Sequence, residues 1–247
     1  MATTCLNCGT IVADKYCPHC GQKATVNRIS WHHLVEEALH FFTHLEHGFL
    51  ATTGLLITRP GLLSKNYLDG KRKSYHKPIS FFLIWITIYL LVYHFVNKFS
   101  HHQDMNTESL FSNDARVTAV FTKYRSLIEL LILPVLTFIS WIILARPRLN
   151  YFELLSSSFY GSSMLFIILS IQFIVAFIFN INFHTNIFDT ITAIIYTCWS
   201  FYAGYDLFKR YNVSWLVPRL LLAMILGGTA YMFLSRVIVN LFMDSGF

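Results

Sequence analysis

Five long apolar runs dominate the chain after residue 78. They lie at 79–97, 127–145, 154–179, 187–205 and 220–242, and the first 78 residues contain no run of this kind. A helix rises 1.5 Å per residue, so each run is long enough to cross the hydrocarbon core of a bilayer. The 247 residues are 55% apolar and only 13% charged, which excludes an ordinary soluble domain. The sequence therefore predicts an all-α multi-pass membrane protein with about five transmembrane helices in residues 79–247.

Basic residues predict how these helices are oriented. The segment before the first run contains nine Lys and Arg, and connections on the same side add Arg146, Arg148, Lys209, Arg210 and Arg219. The opposite side has only Lys98, Arg116, Lys123 and Arg125. Cytoplasmic loops carry the excess of Lys and Arg, so we expect a cytoplasmic N-terminus and, after five spans, an external C-terminus. Residues 1–21 lack the apolar core of a signal peptide.

Four of the five cysteines form two knuckles of the same type. They occur in Cys5-Leu-Asn-Cys8-Gly and Cys17-Pro-His-Cys20-Gly. Each Cys-x-x-Cys turn presents two thiolates to one ion, and two such turns complete the tetrahedral S4 shell that suits Zn²⁺. The spacing predicts a zinc ribbon over residues 1–25 with one structural zinc ion. A closed shell of four thiolates leaves no position for a substrate, and the metal supplies folding energy that so short a segment lacks.

Residues 29–78 are predicted to form a cytosolic, interfacial amphipathic region. A helix that starts after Ser30 and ends near Gly48 places its aromatic and aliphatic residues on one face. The opposite face carries His33, Glu36, Glu37, His40, His44 and His47. Such a helix lies along a membrane surface or against the bundle. The next apolar stretch, 49–58, is too short to span and is broken by Arg59-Pro60-Gly61.

The histidine face has two interpretations. His40 and His44 have the i, i+4 spacing with which one helix grips a metal ion, and His33, Glu37 and His47 lie beside them. The alternative is a polar face that an interfacial helix needs in any case. One helix cannot close a coordination shell, and the candidates for further ligands are His76, Glu153 and Asp206. We expect an interfacial helix without a required metal.

Two further groups of charged residues have a structural and a functional interpretation. Lys71, Arg72, Lys73 and Lys77 precede the first run, where they either anchor the topology or contact anionic lipid head groups. Arg125, Glu129, Asp189 and Arg236 lie at similar depth near the outer ends of their runs. An ion pair near the interface is the favoured interpretation, and a translocation pathway is the alternative. No nucleic-acid recognition fold accompanies the basic residues.

The N-terminal part of the chain is similar to an uncharacterised family of bacterial multi-pass membrane proteins that carry an N-terminal zinc ribbon and a domain of unknown function. The resemblance rests on the CxxCG and CPxCG knuckles, Gly48-Phe49, Arg59-Pro60-Gly61, Tyr67, Gly70-Lys71-Arg72 and Tyr75-x-x-Pro78. It covers roughly residues 1 to 95. The resemblance implies this architecture and a bacterial inner membrane, and it implies no activity.

Two classes of function follow. In the first, the protein is not an enzyme, and its zinc ribbon and interfacial helix dock a protein partner or sense the membrane. In the second, the histidine face makes it a membrane-bound metalloenzyme. A transporter is a weaker third alternative, because no inverted repeat or pair of broken helices stands out.

Overall fold

The computed structural model describes residues 3–32, 34, 35, 48–99, 115–181 and 186–244. Residues 31, 32, 34 and 35 are helical. The elements that follow are numbered within this part of the chain. They are β1 Thr3–Thr4, β2 Ile11–Val12, α1 Phe49–Thr58, α2 Pro60–Leu68, α3 Pro78–Phe99, α4 Ala115–Ser140 with a π-helical turn at Trp141–Ala145, α5 Tyr151–Ile178, α6 Asn186–Lys209 and α7 Leu216–Asp244.

The five long helices α3 to α7 form a bundle and alternate in direction. Arg28, which follows the ribbon, contacts Glu153 in the first turn of α5. Arg148, just before α5, donates a hydrogen bond to the carbonyl of Asn212, just before α7. The ribbon and the starts of α5 and α7 therefore share one end of the bundle, here called the ribbon end. The opposite end, where α5 and α7 finish, is called the distal end.

Four helices of the described residues are long and apolar enough to cross a membrane. They are Pro78–Phe99, Val120–Ala145, Tyr151–Ile178 and Leu216–Met243. The spans predicted at 79–97, 127–145, 154–179 and 220–242 overlap these four helices. The run at 187–205 is also helical but is outside this set. Since α5 ends at the distal end and α7 starts at the ribbon end, α6 still carries the chain back along the bundle.

Aromatic side chains pack α3 against α5, the most buried of the long helices. Phe82 contacts Phe159 and Phe166 with ring centroids 5.4 and 5.7 Å apart. Two helical turns further along, Tyr89 contacts Phe166 at 5.3 Å and Phe173 at 6.0 Å. Ring pairs at such distances contribute about 0.5–1.5 kcal/mol each beyond the area they bury. In lipid, close packing of this kind holds helices together, because the hydrocarbon is as apolar as the side chains.

Helices α1 and α2 form a short hairpin against the ribbon end of the bundle. Gly61, in the first turn of α2, donates its N–H to Asp206 Oδ2 of α6 at 2.9 Å. The hydroxyl of Tyr202 on α6 donates to the carbonyl of Thr58 at 2.8 Å. An added Cβ at Gly61 would overlap the backbone of Asp206 and Leu207. The Pro-Gly pair therefore breaks the helix and also allows α2 to lie close to α6.

We expect Gly61→Ala to destabilise the protein by about 1–3 kcal/mol, because backbone atoms of α6 cannot move aside as a flexible side chain would. The matched control is Gly54→Ala in α1, where an added Cβ meets nothing within 4 Å. This control should be neutral or stabilising by up to about 1 kcal/mol, as Ala is a better helix former than Gly. Thermal unfolding of both variants in lipid nanodiscs measures the difference. Equal melting temperatures would contradict the close contact between α2 and α6.

Candidate metal centre

The two cysteine knuckles have the same backbone geometry. Gly9 donates its N–H to the carbonyl of Cys5 at 2.9 Å, and Gly21 donates to Cys17 at the same distance. Both glycines have positive φ, 78° and 71°, which side chains with a Cβ rarely adopt. The CxxCG spacing is therefore required by the turn as well as by the ligands. Strands β1 and β2 flank the first knuckle and pair antiparallel.

The four sulfur atoms converge on one point. Cys5 Sγ lies 3.6 Å from Cys20 Sγ, and Cys8 Sγ lies 3.6 Å from Cys17 Sγ. All four atoms lie within 4.8 Å of one another. A disulfide would require about 2.05 Å. Tetrahedral coordination at a metal–sulfur distance of about 2.3 Å separates neighbouring sulfurs by about 3.8 Å. The quartet therefore fits a single metal ion with four thiolate ligands, as the spacing predicted.

The surroundings of the thiols differ between the two knuckles. Hydrogen bonds from the side chain and backbone of Thr10 lower the pKa of the Cys8 thiol to about 5. Desolvation raises the pKa of the Cys20 thiol to about 11. Thr10 thus stabilises the thiolate form of one candidate ligand, and burial acts against that form at the other. Metal binding to thiolates would release protons from the quartet.

The ribbon is attached to the loop between α2 and α3. The side-chain amide of Gln22 bridges this loop, since it donates to the carbonyl of Gly70 at 2.8 Å and accepts from the N–H of Lys73 at 3.2 Å. The hydroxyl of Ser74 donates to Asn7 Oδ1 at 2.7 Å. Gly70 has a φ of 101°, and an added Cβ would lie 2.7 Å from Leu6 of the first knuckle. Both knuckles therefore contribute to one contact surface on the bundle.

The segment after the ribbon is attached to the start of α5. Arg28 Nε donates to Glu153 Oε1 at 2.7 Å, and its Nη2 donates to Oε2 at 2.6 Å. Glu153 also accepts from the N–H of Asn150, whose side chain accepts from the N–H of Glu153, which is a complete capping box. Asn150 Nδ2 donates to the carbonyl of Ile29 at 3.2 Å. These contacts, together with those of Gln22 and Ser74, are called the clamp below.

Sequence reasoning did not find the clamp. Asn150-x-x-Glu153 before an apolar run is recognisable as a capping box, but nothing local pairs Glu153 with Arg28. The sequence offers Glu153, together with His76 and Asp206, as a candidate further ligand for the histidine face. In the structure, Glu153 belongs to the clamp. Asp206 accepts hydrogen bonds from the N–H of Gly61 and from the Arg210 guanidinium.

The remaining predicted site residues fall into three groups. His33, Glu37, His40, His44 and His47 lie outside the described residues, so the second metal site stays a prediction. Lys71 and Lys73 are exposed beside the ribbon. Arg72 donates from Nη2 to the carbonyl of Asn27 at 2.7 Å and lies over the Tyr67 ring, which ties it to the segment after the ribbon.

Among the charged residues within the bundle, Arg125 and Asp189 approach each other, a pairing that the sequence did not single out. Arg125 Nη1 lies 3.9 Å from Asp189 Oδ1. Glu129 accepts a hydrogen bond from the Tyr231 hydroxyl at 2.6 Å. Arg236, predicted at similar depth, is exposed on α7.

We expect Arg28→Gln to weaken the clamp by about 1–2 kcal/mol, the range of a charge-assisted hydrogen bond discounted for the exposure of Arg28. The Arg28 side chain is 69% exposed and that of Glu153 only 6%. Hydrogen exchange of residues 22–29 and 69–77 should accelerate in this variant. The control is Lys65→Gln, which removes an exposed i, i+4 pair with Asp69 at the same end and should leave the exchange of residues 22–29 unchanged. Unchanged exchange in Arg28→Gln would contradict a clamp held by Glu153.

Comparison with known proteins gives one match. Residues 46–90 match the model of a family described as a protein of unknown function (DUF3667). This range includes α1, α2, the loop that the ribbon contacts and the first half of α3. No curated protein and no solved structure matches the chain. The chain is thus an integral membrane protein that is similar, over residues 46–90, to a family of unknown function.

Proposed function

We propose that the N-terminal ribbon holds one structural zinc ion and docks a protein partner of the membrane-embedded bundle. The observation that carries this proposal is the clamp, because it fixes the ribbon on the bundle through Gln22, Asn7 and Arg28 without using Ile11 or Tyr16. These two side chains are 71% and 54% exposed. Two large apolar side chains exposed on so small a unit favour a contact with another protein, and Tyr is enriched in such contacts.

The donor set supports zinc as the ion. Four thiolates are soft ligands that select Zn²⁺, Cu(I) or an iron–sulfur cluster, and paired knuckles with converging sulfurs are typical of structural zinc sites. The shell is closed by Cys5, Cys8, Cys17 and Cys20, so the ion would stabilise the ribbon and would have no position for a substrate. A reducing compartment keeps these thiols free, which agrees with a cytoplasmic ribbon.

The charge distribution supports a cytoplasmic ribbon end and an external C-terminus. Arg146, Arg148, Lys209 and Arg210 lie in the connections at the same end of the bundle as the ribbon. By the positive-inside rule this end faces the cytoplasm, and the resemblance to a bacterial family favours the inner membrane. Lys71 and Lys73 are exposed immediately before α3, at the level where anionic head groups contribute about 1 kcal/mol per basic residue. A lipid-sensing contact at these lysines fits the same orientation.

The purified protein should contain one zinc ion per chain by elemental analysis. Cys17→Ser should lose it and accelerate hydrogen exchange in the ribbon and in the loop at 69–77, because the metal supplies the folding energy of the ribbon. Cys198→Ser is the matched control, since Cys198 lies on α6 away from the quartet, and should keep the ion. Full retention of zinc in a variant with all four ribbon cysteines replaced would contradict the assignment. A second metal ion that a His40→Ala/His44→Ala variant loses would favour the metalloenzyme alternative.

A photo-reactive amino acid at position 11 or 16 should crosslink a protein partner in native membranes. The control position is Ser214, which is exposed in the connection between α6 and α7 at the same end of the bundle. Crosslinks from 11 and 16 should disappear when Cys17→Ser is added, because only the folded ribbon presents these side chains together. The same products from position 214, or products that persist without the ribbon cysteines, would contradict docking through the ribbon.

A further inference from the structure

A second group of ionisable side chains lies in the distal half of the bundle, away from the ribbon. It consists of Arg125 and Glu129 on α4, Asp189 on α6 and Tyr231 on α7, and is called the distal cluster. Arg125 Nη1 lies 3.9 Å from Asp189 Oδ1, and Tyr231 donates to Glu129 Oε1 at 2.6 Å. Beside it, Thr192 donates to Gln172 Oε1 at 2.6 Å. Ionisable residues inside a membrane are costly, and they mark ion or proton sites more often than elsewhere.

The three charged residues differ in exposure. The side chains of Asp189 and Arg125 are 29% and 14% exposed, and Glu129 is 9% exposed. Glu129 lies nine residues inside the membrane-crossing segment that begins at Val120, which is about 14 Å along the helix. Asp189 and Arg125 are thus partly exposed, whereas Glu129 is buried and lies further along α4 than Arg125.

The single guanidinium of Arg125 faces two carboxylates. Asp189 lies in the first turn of α6, where the positive end of the helix dipole stabilises an anion. The guanidinium of Arg125 and the positive end of this helix therefore both attract the negative charge of Asp189. Glu129 lies one turn further along α4, interacts electrostatically with the same guanidinium, and accepts a hydrogen bond from the neutral Tyr231 hydroxyl. A buried carboxylate that is only partly compensated is stabilised by gaining a proton.

We propose that Glu129 is a reversible proton-binding site within the membrane, which exchanges its proton with water at the distal end past Asp189 and Arg125. Binding forms one O–H bond on the Glu129 carboxylate, breaks one O–H bond of a water-borne acid, and involves no electron transfer. The titratable groups around Glu129 and Arg125 are Tyr89 of α3, Asp189 and Tyr196 of α6, and Tyr231 of α7. Helix α5 contributes the neutral amide of Gln172.

Dicyclohexylcarbodiimide tests the proposal on the wild-type protein. This apolar reagent enters bilayers and adds the O–H of a protonated carboxylic acid across one C=N bond to give an O-acylisourea. Migration of the acyl group from oxygen to nitrogen then gives a stable N-acylurea on the side chain. In nanodiscs, mass spectrometry should find Glu129 labelled, with a rate that falls about tenfold per pH unit above a midpoint. Glu153 at the ribbon end, which accepts two hydrogen bonds from Arg28, should stay unlabelled over the same range.

Two variants give opposite shifts of the labelling midpoint. Asp189→Asn removes the carboxylate that competes with Glu129 for the Arg125 guanidinium. The midpoint should therefore fall by about 1–3 pH units, which is the usual effect of an opposite charge at close range. Arg125→Gln removes the shared cation and should raise it. Asp69→Asn and Arg148→Gln make the same chemical changes at the ribbon end and should not move it. Only monodisperse protein is compared, and the wild-type titration does not depend on any variant.

Three results would overturn the proposal. The first is an unlabelled Glu129 at every pH at which the protein stays folded, which would make the cluster a purely structural ion pair. The second is a midpoint that neither Asp189→Asn nor Arg125→Gln moves. The third is labelling that NaCl slows and choline chloride does not, at constant pH and ionic strength, which would replace the proton by an alkali cation.

Discussion

The carboxylate of Glu153 joins the aqueous part of this chain to its membrane-crossing part. It is 5% exposed, accepts two hydrogen bonds from Arg28 and a third from the N–H of Asn150. A carboxylate buried without such partners would be strongly unfavourable. Its position in the first turn of α5 adds the positive end of the helix dipole. The same group therefore starts the central helix of the bundle and holds the segment that follows the ribbon.

The ribbon depends on this attachment because it has little core of its own. Its buried apolar cluster consists of Cys5, Val12 and Cys17, with Cys20 and Ala24 partly buried against it. Two of the three fully buried members are thus candidate ligands, so the sulfur quartet takes the place that an apolar core has in larger domains. The bundle supplies the rest of the surroundings, since Leu6 packs beside Gly70 and Gln22 is buried against the loop at 69–77.

Local sequence patterns predicted the ribbon and most of the helices. They did not predict which charged residues pair across long separations in the sequence. The CxxCG spacing and the apolar runs are local because a knuckle and a membrane helix are each defined by neighbouring residues. The helix over 187–205 was predicted as an apolar span, yet Asp189 turns out to lie 3.9 Å from Arg125 of α4. Arg28 and Glu153 are separated by 125 positions, and no periodicity selects one partner for either residue. Which charges meet is decided by the packing of α4, α5 and α6, which composition and spacing do not specify.

Metal binding and the clamp act on the same folded state of the ribbon, so each affects the other. If the quartet binds an ion, the ion stabilises the conformation in which Gln22 reaches both Gly70 and Lys73. Linkage then requires the reverse effect, because the contacts of Gln22 and Arg28 stabilise the conformation that brings the four sulfurs together. If an ion is bound, the bundle would raise the metal affinity of the ribbon by the factor by which the metal strengthens the attachment of the ribbon to the bundle. A loss of that ion would then change first the loop before α3 and the start of α5, the two elements that the clamp connects.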